Sequence, residues 1–205
     1  MGGTFNPPHL GHLHMARVAL KEEGLDEILW IPNGDPPHKI PEVSAADRFR
    51  MTELAIIDEP GMIVSDVEIR RNSRSYMAET LEEVQASRPD ASLTLICGED
   101  MLAGLASWYR ADDIFRLADI LVFPRKEKER EELFMPDPEQ TVDFLRQKGA
   151  RVTVAGAEIP AVSSTEIRRI AAGSDRSSTE AFVRNLGKLI PEKTAAYIMK
   201  NQLYL

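Results

Sequence analysis

A single cysteine stands in the 205 residues. Cys97 has no internal disulfide partner, and a cysteine-built zinc cage is excluded. It ends the run Leu93-Thr94-Leu95-Ile96-Cys97, which reads as a buried, inert thiol. Basic charge is also in deficit: Lys+Arg 25 against Asp+Glu 33 leaves a net charge of −8. That argues against non-specific duplex binding, which needs a basic surface. A nucleotide ligand stays compatible, because a small site can be locally positive on an acidic protein. No apolar run approaches the roughly 18 residues of a membrane span. No basic stretch followed by an apolar core opens the chain. The expectation is a cytoplasmic protein without membrane or nucleic-acid partners. Fixed-period repeats and low-complexity tracts are missing as well.

What is there is ordinary globular material, 43% hydrophobic and 28% charged. The length suits one domain spanning 1–205. Short solid apolar runs at Ile28–Ile31, Met62–Val64, Leu93–Cys97, Ile120–Phe123 and Val152–Val154 predict strands buried on both faces. Helical patterns fall between them at about 10–23, 47–57, 76–87, 112–117 and 138–148. Gly24 and Gly149 sit where a helix C-terminus wants a left-handed residue. This alternation predicts an α/β fold, a Rossmann-like, doubly wound parallel sheet of about five to six strands. Three further helices, about 164–172, 179–186 and 191–201, close the chain, with Pro191 at a first helical position. The mixed-sign run from Arg125 to Glu132 reads as a solvated loop or helix start.

The most informative segment is Gly2-Gly3-Thr4-Phe5-Asn6-Pro7-Pro8-His9-Leu10-Gly11-His12. Two glycines let backbone N–H groups approach a ligand, and prolines stiffen the loop. The chain then starts a helix, whose first N–H groups and positive dipole end favour phosphate. His9 and His12 are three apart, so on a helical first turn both rings face one point. A glycine turn with two surface histidines is the plain alternative. A zinc pair lacks a third ligand at useful spacing, and His14 reads as a surface histidine. A second helix start lies at Val162-Ser163-Ser164-Thr165-Glu166-Ile167-Arg168. Ser163 and Glu166 have capping-box spacing, which leaves N–H groups near Ser164 and Thr165, and Arg168 lies one turn in. An ordinary capped helix with a surface arginine is equally compatible with that spacing.

The opening loop resembles the signature of the nucleotidylyltransferase superfamily, and more narrowly that of bacterial nicotinate-nucleotide adenylyltransferases. The resemblance runs nearly end to end. Ile31-Pro32-Asn33 with Pro36-Pro37-His38-Lys39, Ser75-Tyr76, Gly98-Glu99-Asp100-Met101, Trp108-Tyr109 and Phe123-Pro124-Arg125 carry the pyridine-nucleotide branch. It implies adenylyl transfer from ATP to nicotinate mononucleotide, giving nicotinate adenine dinucleotide and pyrophosphate in NAD biosynthesis. The resemblance implies that His9, His12 and Arg168 are catalytic. Gly2, Gly3, Thr4, Phe5, Asn6, Arg125, Ser163, Ser164 and Thr165 would bind ATP, with Arg125 near the adenine. Lys39, Tyr76, Asp100, Trp108 and Tyr109 would bind the mononucleotide. Trp108 would stack on the nicotinate ring and Asp100 would contact the ribose. For Trp108, Asp100 and Lys39 the plain alternatives are a core plug, a helix N-cap and a surface lysine. Magnesium would be delivered with ATP, with no metal held by the protein, and a homo-oligomer is left open.

Two departures stand out. Met77 replaces a threonine that many relatives carry after Ser-Tyr. The family's apolar strand before the glycine loop is represented only by Met1, so the expectation is a sequence that begins late. Transfer to another phosphate acceptor such as phosphopantetheine, by adenylyl or cytidylyl chemistry, is one alternative reading. A non-catalytic nucleotide-binding module is the other. The preferred reading requires the opening loop and the Ser-Ser-Thr turn to converge on one triphosphate.

Overall fold

The computed structural model describes residues 1–37, 40–71, 73–125 and 137–205. Strands and helices alternate as β1 (Gly2–Gly3), α1 (Leu10–Lys21), β2 (Ile28–Pro32), α2 (Ala45–Ile56), β3 (Met62–Val64), α3 (Val67–Arg70) and α4 (Met77–Ser87). There follow β4 (Leu93–Gly98), a 3-10 turn (Glu99–Met101), α5 (Leu102–Leu105), α6 (Ala111–Leu117), β5 (Ala118–Phe123), α7 (Pro138–Gln147) and β6 (Val152–Val154). The last helices are α8 (Ser164–Gly173), α9 (Thr179–Leu186) and α10 (Glu192–Lys200). Lys39 and most of the mixed-sign run after Arg125 lie outside the described residues.

The α/β class and the parallel pairing agree with the sequence reading; the single sheet of five to six strands does not. The described strands form two three-stranded sheets, in the orders β1-β2-β3 and β4-β5-β6. β1 is two glycines long, with no side chains to pack on either face. The chain divides into two compact units, one of Met1–Gly2 with Ser75–Ala161, the other of Gly3–Arg74 with Val162–Leu205.

In the unit centred on Ser75–Ala161, β5 is the middle strand. It pairs in parallel with β4 from Leu93↔Ala118 to Gly98↔Phe123, and with β6 from Ile120↔Val152 to Val122↔Val154. The apolar core gathers Leu95, Cys97, Ile120 and Val122 of the sheet with Leu81, Ile114 and Leu145 of the helices. Burial pushes the Cys97 thiol up to about 12, with the Asp100 carboxylate adding to the shift. The inert-thiol reading follows, since the nucleophile is the thiolate.

In the other unit β2 pairs in parallel with β3 from Ile28↔Met62 to Trp30↔Val64, and Asn33 N–H donates to the Gly3 carbonyl at 2.9 Å. A second core joins α2 to the last three helices through Met51, Ile167, Phe182, Leu186, Ala195, Ile198 and Tyr204. Two strands depart from the expectation of burial on both faces: Ile63 of β3 is 43% and Val154 of β6 is 47% exposed. Both strands are sheet edges, and an edge strand keeps one flank in water.

The caps explain the helix boundaries. Ser44, Asp137, Ser163 and Ser178 each accept a first-turn N–H into the side chain. Pro191 is the N-cap of α10, one position earlier than expected. Gly24 and Gly149 take φ of +69° and +92°, the left-handed turn that ends a helix.

One buried cation ties the opening loop down. Arg48 of α2 is 1% exposed. Its guanidinium donates to the Thr4 carbonyl at 2.9 Å and to the Gly34 carbonyl at 3.1 Å. Burial pulls its pKa below the usual arginine value. Removing it strands two partly buried acceptors and leaves a cavity, so Arg48→Ala should lose about 2–4 kcal/mol of stability in urea denaturation. Arg48→Lys should recover little, because a single ammonium lacks the planar fork that reaches both carbonyls.

Candidate active site

The opening loop is built to bring backbone and imidazole groups to one place. Phe5 takes φ of +47°, a left-handed conformation uncommon for a bulky residue, and its ring is buried. That ring meets His12 edge-on at 5.1 Å and Trp30 at 5.2 Å, so it supports His12 from below. Asn6 and His9 are both buried, and the Asn6–Pro7 peptide is cis.

His9 is not in the first helical turn, as the spacing predicted; it is the N-cap of α1, in extended conformation. The need for a cap acceptor, which the His9 side chain supplies, accounts for the shift. His9 Nδ1 accepts from the His12 N–H at 3.4 Å, and His12 Nδ1 accepts from the His9 N–H at 3.2 Å. This is a capping box made from two imidazoles in place of Ser and Glu. The rings stack with centroids 3.6 Å apart and planes 21° from parallel. An Nδ1 that accepts carries no proton, so each neutral ring holds its proton on Nε2 and donates from that atom. His14, read as a surface residue, is half-buried.

The Ser-Ser-Thr turn meets this loop. Ser163 caps α8 by accepting from the Glu166 N–H at 3.2 Å. Ser164 Oγ donates to the Pro7 carbonyl at 2.9 Å, and Arg168 Nη1 donates to the Asn6 carbonyl at 3.0 Å. Arg168 Nη2 lies 3.4 Å from Thr165 Oγ1. The required convergence of the two segments is therefore present.

Three residues of this cluster carry no signal in the sequence. Glu42 pairs with Arg168 Nε at 2.9 Å, and its second oxygen accepts from Asn6 Nδ2. Tyr204 donates its hydroxyl to Asn6 Oδ1 at 2.8 Å. Arg48 holds the loop backbone as described above. Each acts across tens of residues of chain, so neither spacing nor local pattern exposes it.

In the Ser75–Ala161 unit, the ends of β4 and β5 form a polar cluster. Buried Glu99 accepts from the Arg125 backbone N–H at 2.8 Å, and Arg125 Nη2 pairs with Asp100 Oδ1 at 3.3 Å. Asp100 lies inside the 3-10 turn whose N-cap is Gly98, so the helix-cap alternative for it does not hold. A Cβ on Gly98 would stand 2.6 Å from Asp100 Oδ1, so glycine is what admits this carboxylate. Trp108 is half-buried against the core. Tyr109 is 51% exposed and its ring lies 4.6 Å from that of Tyr76, the N-cap of α4. Met77 rests beside the glycine loop, with its methyl carbon 2.6 Å from where a Cβ on Gly2 would be. Among the described residues no group of three or more His, Cys, Asp or Glu side chains is disposed to hold a metal, and no helix is long and apolar enough to cross a membrane.

The chain is similar to known proteins along its whole length. The cytidylyltransferase-like family profile matches residues 1–170. A protein of Gloeobacter violaceus described as a probable nicotinate-nucleotide adenylyltransferase is 39% identical, over 99% of this chain and 93% of its own length. One of the same description from Synechococcus sp. (strain JA-3-3Ab) is 37% identical, over 100% of this chain and 93% of its own. Among solved structures, Plasmodium falciparum nicotinic acid mononucleotide adenylyltransferase complexed with NaAD superposes with a TM-score of 0.75. That match covers 99% of this chain and 94% of the other at 18% identity, which speaks to the fold. With the glycine loop, the capped histidine pair and the Ser-Ser-Thr turn assembled in one fold, the chain belongs to the cytidylyltransferase-like family and, within it, to the nicotinate-nucleotide adenylyltransferases.

Proposed function

We propose that the chain transfers the adenylyl group of ATP to nicotinate mononucleotide, giving nicotinate adenine dinucleotide and pyrophosphate, a step of NAD biosynthesis. The observation that carries this reading is the meeting of the opening loop with the Ser-Ser-Thr turn at Asn6 and Pro7. It gathers two Nε2 donors, a carboxamide, a guanidinium and a helix start in one place. Such a set suits a polyphosphate.

In the reaction a phosphate oxygen of the mononucleotide attacks the α-phosphorus of ATP in line. The bond from that phosphorus to the bridging oxygen breaks, and pyrophosphate leaves with the electron pair. The attacking oxygen is already anionic, so no protein nucleophile or base is required. Catalysis is positioning and charge stabilisation. His9 and His12 donate to ATP phosphates from Nε2, alongside the amides of Gly2, Gly3, Thr4 and Phe5. The buried Phe5 ring serves by supporting His12. Asn6 orders the α-phosphate region. Ser163, Ser164 and Thr165 present the α8 start, and Arg168 takes charge that builds on the leaving pyrophosphate.

Arg125 serves the adenine side. Asp100 binds the acceptor's ribose, Trp108 stacks on the nicotinate ring with Tyr76 and Tyr109 nearby, and Lys39 would supply positive charge for an acceptor phosphate. Magnesium would arrive with ATP and would neutralise phosphate charge; residues 1–205 act as one nucleotidylyltransferase domain, and the setting is cytoplasmic.

Purified protein given ATP with nicotinate mononucleotide, nicotinamide mononucleotide or phosphopantetheine tests the reading. The expected result is nicotinate adenine dinucleotide, with pyrophosphate in equal amount. Product from phosphopantetheine alone, or pyrophosphate release from none, overturns it.

His12→Ala should lower kcat by about 100-fold, the scale of losing one transition-state donor. It should also cost about 1 kcal/mol of stability through the lost cap. His12→Gln, a residue type usual at that capping-box position, should recover stability more than turnover when both are measured. Glu42 holds the donors of Asn6 and Arg168 and gives way as a phosphate arrives. Glu42→Gln removes a charge that repels the incoming anion, so the KM for ATP should fall several-fold in steady-state kinetics.

A further inference from the structure

The Asn6 carboxamide is held at both ends. Its Nδ2 meets a Glu42 carboxylate oxygen, and its Oδ1 lies 2.8 Å from the Tyr204 hydroxyl. A carboxylate only accepts, so the amide atom facing Glu42 is the NH2 group. Oδ1 then faces Tyr204, and the proton between them comes from the phenol. The direction of this contact follows from the partners. Tyr204 is itself fixed: its side chain is buried beside Met51 in the helical core, and its backbone holds φ of +59°. Burial drives the phenol pKa well above its ordinary value, so the donor proton stays in place. A left-handed backbone at a tyrosine is uncommon, and strain of this kind persists where surrounding structure over-determines it.

The two ends of an asparagine side chain have almost the same shape and opposite polarity. Sterics alone leave the carboxamide of Asn6 able to present either end to a ligand. Presented with Nδ2 it attracts a phosphate oxygen; presented with Oδ1 it repels one. We infer that Tyr204 is a positioning residue of the phosphate site, which fixes the Asn6 carboxamide with Nδ2 toward the bound anion by donating a hydrogen bond to Oδ1. This rests on the adenylyl-transfer reading for its substrate and extends it to a residue 198 positions from the loop it orients.

Tyr204→Phe deletes the hydroxyl and keeps the ring in the core. It should lower kcat/KM for ATP about tenfold, the scale of one net buried hydrogen bond. The same change made in an Asn6→Ala background should cost nothing further, because the orienting bond then has nothing to orient. A ring change that merely loosened the helical core would multiply the Asn6→Ala loss. Tyr204→Phe with wild-type kcat/KM, or losses that multiply in the double variant, would overturn the inference. If the wild-type protein forms no dinucleotide, it is the transfer reading that fails. The dissociation constant for ATP, measured by calorimetry on the same four proteins, then carries the comparison. A tenfold weakening by Tyr204→Phe that vanishes in the Asn6→Ala background supports the assignment, and an unchanged constant refutes it.

Discussion

Asn6 is the point on which the site depends. Its backbone carbonyl receives Arg168, its amide nitrogen reaches Glu42, and its amide oxygen receives Tyr204. These partners come from the loop after β2, from α8 and from the chain after α10. A glycine-rich loop alone has no reason to hold one shape, because glycine loses more freedom on folding than any other residue. Here the loop is fixed from outside: Arg48 grips the Thr4 carbonyl, Ser164 grips the Pro7 carbonyl, and the Phe5 ring is sunk among aromatic neighbours. The order of the loop is bought by groups scattered over the sequence.

The histidine pair caps a helix with the same side chains that are proposed to meet the nucleotide. A helix start leaves N–H groups in need of acceptors, and serine or aspartate normally supplies them. Here each imidazole gives its Nδ1 to the other's backbone N–H. That use fixes the tautomer and the ring orientation together, a service that a second group usually performs for a catalytic histidine. The stacking at 3.6 Å adds a constraint, since two positive rings so close would repel. With each Nδ1 engaged as an acceptor, Nε2 is the ring atom the pair has left to offer the phosphate oxygens of the proposed reaction.

Much of the fold was legible because its signals are local. The runs from Ile28, Leu93 and Ile120 are buried strands, and the helix limits follow from caps such as Ser163 and from glycines such as Gly24. What the pattern missed depends on neighbours. Nothing within Met62–Val64 or Val152–Val154 says that the sheet ends there, so Ile63 and Val154 read as buried and are not. One continuous sheet was expected from an unbroken strand–helix alternation, which counts strands without saying which of them pair. In the candidate site, the segments of His9, His12, Ser163 and Arg168 stand out in the sequence because glycine, histidine and capping spacings are short-range. Glu42, Arg48 and Tyr204 look like an ordinary loop acid, a helix cation and a core aromatic. Their roles arise from contacts with residues 36, 44 and 198 positions away.

A carboxylate among groups proposed to bind phosphate looks out of place on a chain that is already acidic, and the geometry gives it a reason. Arg168 is only 23% exposed, and a guanidinium with few water contacts is costly to leave without a partner. Glu42 supplies that partner from a side chain that is 51% exposed. A carboxylate so placed returns to water more readily than a buried one, because half of its own surface is already hydrated. In the proposed reaction a triphosphate would bring several charges and many acceptor oxygens to the same donors, so the exchange would favour the nucleotide, while a lone carboxylate elsewhere cannot compete with a tethered one. On the proposed reading the donors therefore stay aligned without ligand and yield to a polyanion.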